Sequence, residues 1–271
     1  MSIGLAPFGY ARPASVDEAR AILLDDPEAR LLAGGMTLLP TLKQRLASPS
    51  LLVDLSGIEG LQGVGRRGDE LRIGAMTSHA DVAASPVVRD AILALAQLAG
   101  GIGDAQVRSR GTIGGSIANA DPAADYPAAV LALGATIETS EREIAADDLF
   151  TGLYETALGQ GEILTWVRFR IPDATGWIKF PSPASRFAIV GVFVARFGGE
   201  VRMACTGAAS HAFRLFMTEA ELEADFRPEA IGEVLLDREA LNADGHADAD
   251  YREHLVKVMA RRAVDAAVSG R

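Results

Sequence analysis

Cysteine occurs once in these 271 residues, at Cys205. That excludes an intrachain disulfide, and one thiol cannot by itself hold a zinc or iron–sulfur centre. Its setting, Val201-Arg202-Met203-Ala204-Cys205-Thr206-Gly207, reads as a strand, so the thiol is expected to be buried and inert. Histidine is nearly as sparse: His79, His211, His246 and His254 are dispersed and show no metal-ligand spacing. Positive charge is short as well, 26 Lys and Arg against 36 Asp and Glu, a formal net charge of -10. The basic residues are scattered, with pairs only at Arg66-Arg67 and Arg261-Arg262, which excludes an open nucleic-acid surface. The longest apolar stretch, Phe187 to Phe197, is broken by Gly191 and Arg196 and is too short to span a bilayer. Met1 to Ser15 shows no basic region followed by an apolar one. A reducing, cytoplasmic setting is the resulting expectation. No Gly-x-x-x-x-Gly-Lys-Ser/Thr loop is present, and Gly101-Ile102-Gly103 fails as a dinucleotide fingerprint because Gln106 takes the place of the third glycine. Asp244, Asp248 and Asp250 beside Gly245 lack calcium-loop spacing and read as a solvated turn.

What is present is a chain long enough for two or more packed units. Ser15, with Glu18 three positions later, caps an amphipathic helix within residues 12–30. Arg30 to Ala33 reads as a short strand, Leu38 to Leu46 as a helix with Pro40 in its first turn, and Leu51 to Leu55 as a second strand. This alternation predicts a small parallel β/α unit over residues 1–57. From residue 58 the pattern changes. Gly63 to Ala75 predicts a hairpin, Thr77 to Ala83 and Val87 to Leu98 predict helices, and Ala128 to Leu133 predicts a helix feeding a strand at Ala135 to Glu138. Glu162 to Ile171 alternates as a half-buried strand does. The turn-rich Pro172 to Gly176 suggests a domain boundary, giving domains 1–175 and 176–271. Beyond it come a hairpin turning at Gly198-Gly199 and helices over Glu219 to Asp225, Pro228 to Leu236 and Tyr251 to Val268.

Two glycine-bearing stretches carry the chemistry. One is Leu32-Ala33-Gly34-Gly35-Met36-Thr37-Leu38-Leu39-Pro40; the other runs from Gly111-Thr112-Ile113-Gly114-Gly115-Ser116 through Asn119-Ala120-Asp121-Pro122-Ala123-Ala124-Asp125. Glycine lets a backbone approach a ligand closely and adopt positive φ, so consecutive N–H groups can converge on a phosphate. Gly34-Gly35 lies between a strand and a helix start, where unpaired N–H groups favour an anion. Thr37 and Thr112 add hydroxyl donors, and Asp125 could accept hydrogen bonds from sugar hydroxyls. The expectation is two loops pressed against one large anionic ligand.

The pair AGGMTLLP and GTIGGSIANADPAADYPA resembles the two flavin-binding motifs of the medium, FAD-binding subunit of molybdenum hydroxylases, the family of the carbon monoxide, xanthine and aldehyde dehydrogenases. The likeness continues through Val53-Asp54-Leu55, Ile73 to Thr77, Lys179-Phe180, Pro183 to Ala188, Thr206 to Ala209, Tyr251-Arg252 and Arg261 to Ala263, which is essentially the whole chain. It implies an α+β, vanillyl-alcohol-oxidase-type (PCMH-type) FAD-binding domain in two parts, 1–57 and 58–175. A C-terminal domain of a small antiparallel sheet and a helical bundle would follow. It also implies that Ala33, Gly34, Gly35, Met36 and Thr37, with Thr112, Ile113, Gly114 and Gly115, touch the FAD pyrophosphate, and that Leu38, Ser116 and Asn119 belong to the same cofactor site. Asp125 would serve the sugar hydroxyls, while Ile163 or Leu164, Lys179 and Phe187 would lie near the flavin ring. Met36 stands where relatives often carry His, and Phe187 where Tyr is frequent; Phe keeps a stacking surface and loses the hydroxyl.

The resemblance further implies partners: a large subunit with the molybdenum cofactor and a small subunit with 2Fe-2S clusters, as a dimer of heterotrimers. The chain would pass electrons from those clusters through FAD to an external acceptor. A self-sufficient FAD oxidoreductase on the same fold is an alternative, as is a binding or assembly module whose loops no longer hold a nucleotide.

Overall fold

A computed structural model describes residues 5–270. The first four positions of the Met1 to Ser15 stretch lie outside the described residues, as does position 271. The chain opens with β1 (Gly9–Ala11), α1 (Val16–Asp25), β2 (Arg30–Leu32), α2 (Leu38–Lys43) and β3 (Leu51–Asp54). The strands pair in parallel in the order β1-β3-β2. The capping box forms: Ser15 Oγ accepts the Glu18 N–H at 3.1 Å, and the Glu18 carboxylate accepts the Ala14 N–H at 2.8 Å. The apolar centre of this unit is small. Ala19, Val53, Leu55 and Ile58 are completed by Met76 and Ile163 from later in the chain, so the unit rests on its successor.

That successor contains β4 (Val64–Arg67), β5 (Glu70–Gly74), α3 (His79–Ala84), α4 (Pro86–Ala91), α5 (Leu93–Gly100), α6 (Ala105–Arg110), α7 (Ile113–Asn119) and α8 (Tyr126–Ala132). It continues with β6 (Thr136–Thr139), β7 (Glu143–Ala145), the ribbon β8 (Phe150–Gly152) and β9 (Glu155–Thr156), and β10 (Leu164–Arg170). Five of these strands make an antiparallel sheet in the order β4-β5-β10-β6-β7. The expected helix at 87–98 divides at Ile92, whose backbone is extended (φ -147°, ψ 81°) and whose side chain is buried. The second glycine stretch, expected as a loop, is largely the helix α7. Thr112 caps it through Oγ1, which accepts the Gly115 N–H at 3.1 Å.

The C-terminal part is β11 (Ala174–Pro181), β12 (Ala188–Phe197), β13 (Glu200–Thr206), β14 (Phe213–Arg214), α9 (Phe216–Ala224) and α10 (Ala249–Ser269), its strands antiparallel in that order. β11 begins inside the turn-rich stretch read from sequence, because Ala174 to Phe180 pair with Arg196 back to Val190. This sheet is covered on both faces. Trp177, Phe193, Ala195 and Ala204 join the core containing α5 and α8, whereas Val192, Val194, Met203 and Cys205 join the core under α10. Period-two alternation into two cores explains why β12 reads as continuously apolar. The helix expected over 228–236 does not form. A single 3-10 turn, Pro228–Ala230, precedes Gly232, and Ile231 and Val234 bury individually in the core beneath α10. The helical layer is therefore one long helix and one short one rather than a bundle. No helix among the described residues is long and apolar enough to cross a membrane.

Candidate functional site

A cavity of about 590 Å³ opens between the parallel unit and the larger part behind it, with one rim from the β11–β12 connection. That volume suits a sizeable organic ligand. The stretch Ala33 to Leu38 joins β2 to α2 and forms one wall. Gly35 has φ +71°, a backbone that side chains disfavour, and its carbonyl accepts the Leu39 N–H at 3.0 Å. The N–H groups of Gly34, Gly35, Met36 and Thr37 meet no acceptor among the described residues. Consecutive free donors of this kind suit an anion.

The second stretch behaves differently. Ile113 and Gly114 donate their N–H groups to the carbonyls of Thr77 and Ala75 at 3.1 and 2.8 Å, and His79 donates to Gly111 O at 2.9 Å. The Ile113 and Gly114 N–H groups are thus committed to the segment 75–79 and that of Gly115 to the Thr112 hydroxyl, while Thr112, Gly114, Gly115 and Ser116 line the cleft. Two of the glycines act mainly between protein segments. A Cβ on Gly34 would fall onto the Arg110 carbonyl and 2.8 Å from Gly111 Cα, and one on Gly114 would lie 2.5 Å from Ala75 Cβ. The two motifs touch backbone to backbone.

Of the residues expected at the site, Ala33 to Leu38, Thr112, Gly114, Gly115, Ser116, Asn119, Asp125, Ile163, Leu164 and Phe187 all line this one cavity. Ile113 and Lys179 do not. Ile113 is fully buried beneath the wall. Lys179 stands one layer behind Asp125, its Nζ donating to Asp125 Oδ2 at 2.6 Å and to Gly101 O at 3.0 Å. Burial pushes the Asp125 carboxyl up to about 6, with Lys179 pulling against the shift. The tail leading to Asp125 is held by the C-terminal sheet: Thr206 Oγ1 lies within donating distance of Ala124 O, at 2.7 Å, and the Gly207 N–H donates to Pro122 O at 2.7 Å.

Several wall residues are not among those the sequence assigns to the site. Glu162 lies at the cleft, its carboxylate bonded by Arg142, the Thr139 hydroxyl and the Gly159 N–H. Burial alone would raise that carboxyl, and the Arg142 and Gly159 donors outweigh it and hold it low. Arg186, with φ +64°, brings a cation to the rim and donates to Gly103 O at 3.3 Å. Asp121 accepts from Tyr154 Oη at 3.3 Å. His79 is 4% exposed, packs against Tyr126 with ring centroids 5.4 Å apart, and leaves Nδ1 without a partner, as Tyr126 leaves its hydroxyl. A lone histidine in an apolar helix start offers no spacing to detect.

Burial, aided by the Arg108 charge, pushes His79 down from 6.5 to about 4. The folded protein therefore binds this proton less readily than the unfolded chain does. The stability His79 contributes is intact above its unfolded value and is lost as pH falls from 6.5 toward 4. Asp125 runs the other way in an overlapping window, so wild type alone is uninformative. The stability gap between wild type and His79→Gln should shrink by about 3 kcal/mol over that fall. Denaturant melts at several pH values check this, and a gap constant with pH refutes it.

Residues 6–174 match the family described as the FAD binding domain in molybdopterin dehydrogenase. The chain is 36% identical over 279 residues to the carbon monoxide dehydrogenase medium chain of Hydrogenophaga pseudoflava, covering 96% of each. The chain belongs to the FAD-binding medium subunits of the molybdenum hydroxylases. It is 34% identical to the nicotine 6-hydroxylase medium subunit of Paenarthrobacter nicotinovorans, over 96% of this chain and 97% of that one. A chain of reconstituted CO dehydrogenase from Oligotropha carboxidovorans superposes with a TM-score of 0.90 at 32% identity, covering 97% of this chain and 98% of that one. As a medium subunit of this family the protein is part of an oxidoreductase, and FAD is its cofactor. The donors at 34–37, the two hydroxyls and the apolar Ile163, Leu164 and Phe187 fit a ligand with an anionic centre and an aromatic end. Among the described residues no cluster of three or more His, Cys, Asp or Glu could hold a metal ion.

Proposed function

We propose that this medium subunit relays electrons within a multi-subunit molybdenum hydroxylase, binding FAD across the cleft with its pyrophosphate on Gly34 to Thr37. The observation that carries the reading is the run of four backbone donors at 34–37 without an acceptor among the described residues, lining one cavity with Thr112 and Ser116. Asn119 and Asp125 would take the sugar hydroxyls, and Ile163, Leu164 and Phe187 would flank the flavin ring. Bound FAD supplies a centre that handles one or two electrons; the chain supplies binding, orientation and charge. Electrons would come from 2Fe-2S clusters of a small partner subunit, after substrate oxidation at a molybdenum cofactor in a large one, and leave to an external acceptor. In this reading the assembly is a cytoplasmic dimer of heterotrimers. Domain boundaries near 57 and 175 follow the change from parallel to antiparallel sheet and the start of β11.

The self-sufficient alternative needs a base at the flavin. His79 and Tyr126 are both buried; burial makes the His79 imidazole a weak base and keeps the Tyr126 hydroxyl protonated, which gives that alternative no support. The test is direct. Full-length protein titrated with FAD should quench flavin fluorescence with one FAD per chain, and co-purification from its host should bring two further chains with molybdenum and iron. Protein that shows neither flavin absorbance nor FAD uptake ends the proposal.

A further inference from the structure

Asp125 is an acid in an unfavourable place. It is 5% exposed, burial raises its carboxyl, and it makes no side-chain cap to the helix it precedes. A buried carboxylate in such a site takes up a proton unless a cation or donors compensate. Lys179 is the compensating group. Its side chain is 10% exposed and comes from β11, on the face shared with Trp177 that looks toward α5 and α8. Its Nζ is fixed between Asp125 Oδ2 at 2.6 Å and Gly101 O at 3.0 Å, and it does not reach the cleft wall. Asp125 does reach the wall, and its Oδ1 accepts no hydrogen bond among the described residues.

We propose that Lys179 is a positioning residue that acts on FAD only through Asp125, keeping that carboxylate charged and clamped by one oxygen so that the other can accept a ligand hydroxyl. The proposal rests on the reading of the cleft as the FAD site. It gives the C-terminal sheet a part in cofactor binding through one side chain, and it removes Lys179 from contact with the flavin ring. Lys179 on β11 bonds Asp125 and Tyr126 on α8 is its chain neighbour; around them lie His79 on α3 against the Tyr126 ring, Asp121 on the same tail, and Arg108 and Arg186, which bond the carbonyl of Gly103 two residues beyond Gly101. His79 and Tyr126 are uncharged above pH 5.5, and Asp121, Arg108 and Arg186 are common to every variant below, so these five drop out of the comparison.

The experiment is a double-mutant cycle in the full chain, reading FAD affinity by fluorescence quenching from pH 5.5 to 8.5. Lys179→Met should weaken FAD about tenfold at pH 6, the scale of one charge-assisted hydrogen bond, and the penalty should shrink as pH rises and Asp125 ionises unaided. Asp125→Asn should weaken binding by a similar factor at pH 8.5, and its own affinity should not change with pH, since the amide does not titrate. In the Asp125→Asn background, Lys179→Met should cost no more than about twofold, because its target is gone. Lys179→Gln, run in parallel with thermal melts, must repeat the Met pattern, which separates the effect from poor folding. If the two losses multiply, or if the Lys179→Met penalty is the same at every pH, Lys179 acts on the ligand directly and the inference is wrong. Wild type that binds no FAD at all would instead overturn the reading of the cleft.

Discussion

Gly34→Val should leave the protein unable to take up FAD. A side chain at this position meets backbone, not a movable side chain: the Arg110 carbonyl lies in its path and Gly111 Cα is 2.8 Å from where the Cβ would stand. Relief requires the two glycine motifs to part, and that separates the donors at Gly34 to Thr37 from the Thr112 and Ser116 hydroxyls across the cleft. Overpacking of this kind typically costs about 1–3 kcal/mol, which in a chain of this size lowers Tm by roughly 2–4 °C for each kcal/mol. The loss of binding should exceed the loss of stability, since a ligand spanning both motifs depends on their spacing. FAD affinity should fall by at least about a hundredfold, the worth of two or more charge-assisted hydrogen bonds. Gly65→Ala is the control: its Cβ would meet nothing within 4 Å, and uptake should be unchanged. A Gly34→Val protein that purifies with stoichiometric flavin would show that the motifs do not need to touch.

The same contact shows where sequence reasoning succeeds and where it stops. Each glycine motif is contiguous, so its residues can be named from the chain alone, and almost all of them share one wall. Paired glycines beside hydroxyl residues point to close approach by a ligand. At Gly34 and Gly114 the close approach is instead to another part of the chain, a long-range fact with no local trace. For the same reason α7 reads as a loop. A Gly-Gly pair argues against helix, but Thr112 caps this one and the carbonyls of Thr77 and Ala75 pin its first turn from outside. In the opposite direction, 228–236 carries helix-compatible residues and stays irregular, because Gly232 interrupts it and Ile231 and Val234 gain more from separate burial. Ser15 and Glu18, or the Gly198-Gly199 turn, are legible because their partners lie within four residues. The Asp125–Lys179 pair is not, with 54 positions between the two. His79 and Glu162 stay hidden because a single titratable residue has no spacing to betray it.

The largest expected loss of stability lies away from the cleft. Gly176 is in the third position of β11, and a Cβ there would fall onto the Ala263 carbonyl of α10 and 3.0 Å from the Ala267 N. Both neighbours are helix backbone, so the whole of α10 must lift. Its inner face, Leu255, Val256, Met259, Ala260, Ala263 and Val264, makes up much of the core under the C-terminal sheet. Gly176→Ala should therefore cost about 3 kcal/mol, the upper end of what overpacking exacts, and lower Tm by roughly 6–12 °C. Yet Gly176 faces α10, whereas Trp177 and Lys179 face the FAD-binding part. The two faces of one strand should then be separable by experiment. Well below the lowered Tm, FAD affinity in Gly176→Ala should stay within about threefold of wild type, a difference of under 1 kcal/mol. Lys179→Met should show the reverse, weak binding with a smaller change in Tm. If Gly176→Ala instead loses FAD tenfold with an unchanged melt, β11 transmits displacement across the sheet and its faces are not independent.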